Sequence, residues 1–171
     1  NIAEVYAEAV AATTDKAILI PVRIKNNTGI MGFKITVNYD NSVLTSPKII
    51  KGDFTQNGMM NDSIGVTPDG TIDVVWSGTQ NVTGDGTLMI LSFMAVETKD
   101  TQIKLSYSQP DTFNEAWEDV ELNCSDISVE FSAELTEVEK ETETPANYSS
   151  KPPSSEEIKN AVDIVLGETD K

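Results

Sequence analysis

The chain has 171 residues, 39% of them hydrophobic, with 28 acidic against 12 basic side chains and a formal charge of −16. That length suits one domain with its own core plus an appendage, and so acidic a chain makes nucleic acid and anionic membrane surfaces poor partners. Histidine is absent and Cys124 is the single cysteine, which removes Ser-His-Asp and Cys-His catalysis, histidine-ligated zinc and any disulfide within the chain.

No apolar run approaches the roughly 20 residues of a membrane helix, and no basic segment followed by an apolar one opens the chain, so a soluble module without membrane insertion is expected. Short runs rich in β-branched and aromatic residues predict strands at 5–11, 17–25, 32–39, 71–77, 87–96, 101–108, 119–124 and 127–131. Between them NNTG (26–29), YDNS (39–42), PDG (68–70), TGDG (83–86) and KD (99–100) supply turn geometry.

The sharpest alternation is at 32–39, where Phe33, Ile35, Val37 and Tyr39 interleave with Gly32, Lys34, Thr36 and Asn38. One face of that strand is apolar and the other polar. Trp76 shares a row with Ile72 and Val74, which assigns it to the core. In 87–96 both rows are substantially apolar, Met89, Leu91, Phe93 and Ala95 against Leu88, Ile90, Ser92 and Met94. That pattern fits a strand covered on both sides, or one whose outer row sits beneath a partner. Eight or nine such strands without helical periodicity predict an all-β fold, a two-sheet sandwich over residues 1–131.

Composition changes after Phe131. Residues 132–153 are acidic and rich in Pro, Ser and Thr, as expected of a linker. Residues 154–171 predict a short amphipathic helix, with Ser154 and Glu157 spaced as a capping box and Gly167 as its stop. Its stripe of Ile158, Ala161, Val162, Val165 and Leu166 needs a surface to bury against, on this sandwich, a neighbouring module or another chain.

Chemistry is sparse. Asp111, Glu115, Glu118 and Asp119 could supply a carboxylate pair, but so many acids cluster by chance, and the chain is read as no enzyme. NVTGDG (81–86) echoes the start of a calcium loop, yet the twelfth position falls on Ser92 inside a strand, so the segment is a hairpin turn and no resident metal or cofactor is expected. The Asn-x-Ser/Thr triplets at Asn26, Asn61, Asn81, Asn123 and Asn147 are read as chance. Trp117 is the tryptophan left for exposure.

Taken in order, IPVRIKNNTGIMGFKITVNYDNSVL (20–44), IIKGDF (49–54), TIDVVWSG with GDGTLMILSFMAV (71–96) and DTFNEAWEDVELNCSDISVEF (111–131) resemble a cohesin module. The resemblance implies a nine-stranded jelly-roll sandwich whose work is protein binding. Cohesins in scaffoldins hold dockerin modules of plant-cell-wall-degrading enzymes or of other scaffoldins, and the calcium belongs to the dockerin. The setting it implies is an extracellular, secreted or cell-surface-attached bacterial complex.

The resemblance further implies that Gly32, Lys34, Thr36 and Asn38 face the partner, with Asp73, Val75 and Ser77 on one side, Leu88, Ile90, Ser92 and Met94 beside them, and Asp119, Glu121 and Asn123 on the other. Leu88, Ile90 and Met94 are then the expected desolvated anchors, and Lys34, Asn38 and Glu121 set register and selectivity. Clostridial type I cohesins usually carry Asn and Asp where this chain has Gly32 and Lys34, so a divergent member is expected. An extracellular carbohydrate-binding or adhesin-like sandwich is the alternative.

Overall fold

The computed structural model describes residues 2–61 and 69–131. The linker and amphipathic helix expected over 132–171 lie outside the described residues. Where β-branched and polar side chains alternate the chain is extended, most cleanly at Ile18–Lys25, in which every second residue is buried. Among the described residues there are eleven strands: β1 Ala3–Tyr6, β2 Val10–Ala12, β3 Ile18–Lys25, β4 Ile30–Asn38, β5 Leu44–Lys51, β6 Met59–Met60, β7 Thr71–Val82, β8 Gly86–Ala95, β9 Thr101–Tyr107, β10 Leu122–Cys124 and β11 Ile127–Phe131. They form a five-stranded sheet, β10-β1-β3-β8-β5, and a six-stranded sheet, β2-β11-β9-β4-β7-β6.

The count exceeds the expected nine partly because the first strand divides. Residues 5–11 do not run straight, and β1 joins the five-stranded sheet while β2 joins the six-stranded one. β10 and β11 change sheets in the same way, and the pairs β1–β10 and β2–β11 are both parallel. Strands that pass from one sheet to the other make the corners of a sandwich.

Between the sheets, Phe33, Ile35 and Val37 of β4 and Ile72, Val74 and Trp76 of β7 are buried, as are Ile20, Val22 and Ile24 of β3 with Leu91 and Phe93 of β8. Trp76 is 2% exposed, as its row predicts. Its Nε1 donates to the Asn57 carbonyl at 2.9 Å and its ring lies 5.6 Å from that of Phe33, so the one polar atom of the indole is satisfied.

The two apolar rows of β8 have a geometric explanation. Val22 lies opposite Met89 but Arg23 opposite Thr87, so Leu88 is the extra residue of a β-bulge. Leu88 and Met89 are consequently both fully buried. Leu88 is a core residue and cannot be the exposed anchor expected of it.

Cys124 packs against the core from β10, beside Val5. Burial pushes its thiol up to about 11, because the thiolate loses hydration there.

Leu88→Ala should cost about 2–5 kcal/mol in urea unfolding, the range for emptying a leucine site, whereas Ile90→Ala on the outer row should cost less than half as much. At pH 8 the thiolate of Cys124 is scarce, so alkylation of the folded protein by iodoacetamide should lag that of an unfolded control by at least about tenfold. Raising the pH toward 11 should close the gap; equal rates at pH 8 would contradict this placement of Cys124.

Candidate functional site

β4 occupies the middle of the six-stranded sheet, with β7 along one side and β9 along the other. Its inward row is locked by the core, and this fixes Lys34, Thr36 and Asn38 on the outer face. Lys34 lies opposite Val75, Thr36 opposite Asp73 and Asn38 opposite Thr71, while Gly32 faces Ser77. On the β9 side Ser106 stands opposite Thr36 and Lys104 opposite Asn38.

Side chains cross these ladders. The Thr36 hydroxyl donates to Asp73 Oδ1 at 2.7 Å, and the Thr71 hydroxyl donates to Asn38 Oδ1 at 3.0 Å. Such pairs hold the face in one arrangement before anything binds. Lys104 reaches Asp126 at 3.6 Å, but Lys34 forms no ion pair with any described residue. Val75, 42% exposed, is an apolar point amid these polar groups.

β9 pairs with β4 only as far as Tyr107. A 3-10 turn, Gln109–Asp111, then carries the chain outward, and Thr112 and Phe113 return to the same edge. The Phe113 carbonyl accepts from the amides of Met31 at 2.8 Å and Gly32 at 3.2 Å, and its own amide donates to the Gly32 carbonyl at 3.0 Å. The phenyl ring covers Gly32, where a Cβ would come within 2.5 Å of Phe113 Cζ. Any larger residue at this position would have to push the ring aside. Beside the ring, Pro110, Asp111, Val75, Ser77 and Lys34 help line an open groove of about 360 Å³.

At the other margin, β7 is longer than β6. Asn61 extends the pairing with its side chain: Nδ2 donates to the Asp73 carbonyl at 2.8 Å and Oδ1 accepts from the Val75 amide at 2.7 Å. These bonds occupy backbone groups that an exposed edge would offer to another strand.

Seven expected residues, Gly32, Lys34, Thr36, Asn38, Asp73, Val75 and Ser77, are thus brought together. The strand grouping behind the other seven is corrected by the topology. β8 and β10 belong to the five-stranded sheet, so Ile90, Ser92 and Met94 do not lie beside Lys34, and Leu88 is buried. Ile90 instead faces Pro21 and Ile50, and Ser92 faces Leu19 and Lys48, on the opposite side of the molecule. Asn123 is on β10, and exposed Glu121 immediately precedes it. Asp119 pairs with Phe113 and stays near the Gly32 end. Alternation tells which side of a strand a residue occupies but not which sheet the strand enters; that depends on pairing with β3 and β5, far away in sequence.

Lys104, Ser106 and Phe113 were missing from the sequence reading. The first two are visible as the polar row of TQIKLSY once β9 is known to neighbour β4. Three of the four carboxylates considered for catalysis are hydrogen-bonded within the chain: Asp111 accepts from the Ser108 hydroxyl, Glu115 from the Asn81 backbone amide and Glu118 from Asn114 Nδ2. Asp85 of the GDG turn accepts from the Asn26 amide at 3.1 Å.

Residues 3–131 match the model of the cohesin domain. The chain belongs to the cohesin family. Its sandwich superimposes on a non-cellulosomal cohesin from the archaeon Archaeoglobus fulgidus with a TM-score of 0.66 at 15% identity, covering 84% of this chain and 100% of that one. The cohesin of an OlpA cohesin–dockerin complex from Clostridium thermocellum matches with a TM-score of 0.67 at 20% identity, over 77% of this chain and 100% of that one. A type II cohesin of the ScaA scaffoldin of Acetivibrio cellulolyticus matches with 0.58 at 17%, over 74% and 93%. No curated protein matches significantly. Among the described residues no helix is long and apolar enough to cross a membrane.

Removing the side chain that closes the β7 edge should be measurable. Asn61→Ala is expected to lower stability by about 1–2 kcal/mol and to speed hydrogen exchange at the Val75 amide, while the Trp76 amide, inside the ladder, is little affected.

Proposed function

We propose that this cohesin is a non-catalytic adaptor that binds dockerin modules on the outer face of β9, β4, β7 and β6, and so gathers dockerin-bearing enzymes or scaffoldins into an extracellular complex that degrades plant cell walls. The observation that carries the reading is the face itself: Thr36 and Asn38 are already paired across strands with Asp73 and Thr71, beside exposed Val75 and a Lys34 that has no ion-pair partner among the described residues. Pre-ordering reduces the entropy lost on association, and a lysine with no counter-ion among the described residues offers a contact to a carboxylate or to the C-terminal end of a helix on the partner. Family membership supports a dockerin as that partner, since relatives of this fold are known as cohesin–dockerin complexes. The similarity to a cohesin of a cellulosomal scaffoldin supports the polysaccharide-degrading setting, while the archaeal cohesin it also resembles is non-cellulosomal.

Calcium enters this proposal only through the partner. The test is a calorimetric screen of the full chain against a dockerin panel, in calcium and in chelator. A complex that forms only in calcium is expected. Lys34→Glu should weaken it at least tenfold, or about 1.4 kcal/mol, while Ile50→Asp on the opposite sheet leaves it unchanged. Equal affinity of wild type and folded Lys34→Glu would remove this face, and silence across the panel would return weight to a carbohydrate-binding or adhesin-like role.

A further inference from the structure

Trp117 is the feature that neither the fold nor the paired polar face accounts for. It is 75% exposed, and its φ of 63° is a left-handed conformation that a side chain of this size adopts at a cost.

The turn that imposes this conformation is heavily braced. Asn114 Oδ1 accepts from the amides of Ala116 at 2.9 Å and Glu118 at 3.1 Å, and the Trp117 amide donates to the Asn114 carbonyl at 2.9 Å. Glu115 is tied to β7 by reciprocal bonds: its amide donates to Asn81 Oδ1 at 2.8 Å, and its carboxylate accepts from the Asn81 amide at 2.9 Å. The indole stacks on Phe113 with ring centroids 5.3 Å apart and planes 22° apart. Phe113 in turn lies on the bare surface of Gly32. A continuous aromatic step therefore rises from one end of the β4–β7 face, next to the groove that Lys34 and Val75 help line.

Elsewhere among the described residues the outer face of this sheet exposes only two large apolar side chains, Val75 and Met59. Interfaces draw most of their energy from a few large, desolvated anchors, with tryptophan foremost. We infer that the Phe113–Trp117 pair is the apolar anchor of this face and receives an apolar side chain from a dockerin helix, whose acidic neighbour then reaches Lys34. This inference rests on the dockerin-binding reading. A sugar ring fits the surroundings less well, because the side chains of Asn114, Glu115 and Glu118 are already engaged in holding the turn.

Two tryptophans make the test direct, since Trp76 is buried and only Trp117 is open to a dissolved quencher. Iodide quenching of the full-length protein is measured alone, with the calcium-loaded dockerin returned by the screen, and with cellohexaose or xylohexaose. Dockerin is expected to shift the emission to the blue and lower the quenching constant several-fold, and Trp117→Ala to weaken that complex at least tenfold with Trp76 emission unchanged. A dockerin complex that leaves quenching and the affinity of Trp117→Ala at wild-type values, yet is still weakened by Lys34→Glu, overturns the anchor and spares the face. Protection by an oligosaccharide without protection by dockerin also overturns it, in favour of a sugar site. If no dockerin binds the wild type, the anchor falls together with the reading on which it rests.

Discussion

The outer face depends on a change of partner along one edge of β4. β9 supplies that edge for Ile35–Asn38 and then stops, and Phe113 supplies it again at Met31 and Gly32. Every backbone group on a central strand must be satisfied, so the detour between the two partners has to leave the sheet and come back. Its route through Pro110 raises one wall of the groove, and its return delivers an aromatic ring onto the face. The glycine that admits the ring and the turn that follows it are consequences of this hand-over.

The remainder of the sandwich keeps β4 rigid. On its other side β7 is paired from Asn38 to Gly32, and behind it the two inward rows interdigitate with those of β3 and β8. A face built this way is insensitive to what happens at its surface, because its register is set by buried residues such as Phe33, Ile35 and Val74. Polar substitutions at Lys34 or Asn38 can thus change the chemistry of the face without disturbing the fold.

Much of this was legible in the sequence, for identifiable reasons. Period-two alternation gave β3, β4 and β7 their inward and outward rows because these strands have one dry face and one wet one. Trp76 was assignable to the core by its row alone. Sheet membership was not legible: nothing in TLMILSFMAV says that it pairs with β3 and β5, and the bulge at Leu88 hides the true row by burying two successive residues. The aromatic step was equally out of reach, since stacking of Phe113 on Gly32 joins residues about eighty positions apart. Trp117 stood out only as a tryptophan without a core row to occupy.

The parallel pairing of the terminal segments bears on how such a module carries load. β1–β2 and β10–β11 run side by side in the same direction, Ala3 beside Leu122 and Ala12 beside Phe131. Tension between Ala3 and Phe131 pulls these segments past each other along their length. Their hydrogen bonds are then strained together, in shear, and do not peel open one after another as those of a hairpin would. A pull applied between these two residues therefore meets the terminal pairs in their most resistant geometry.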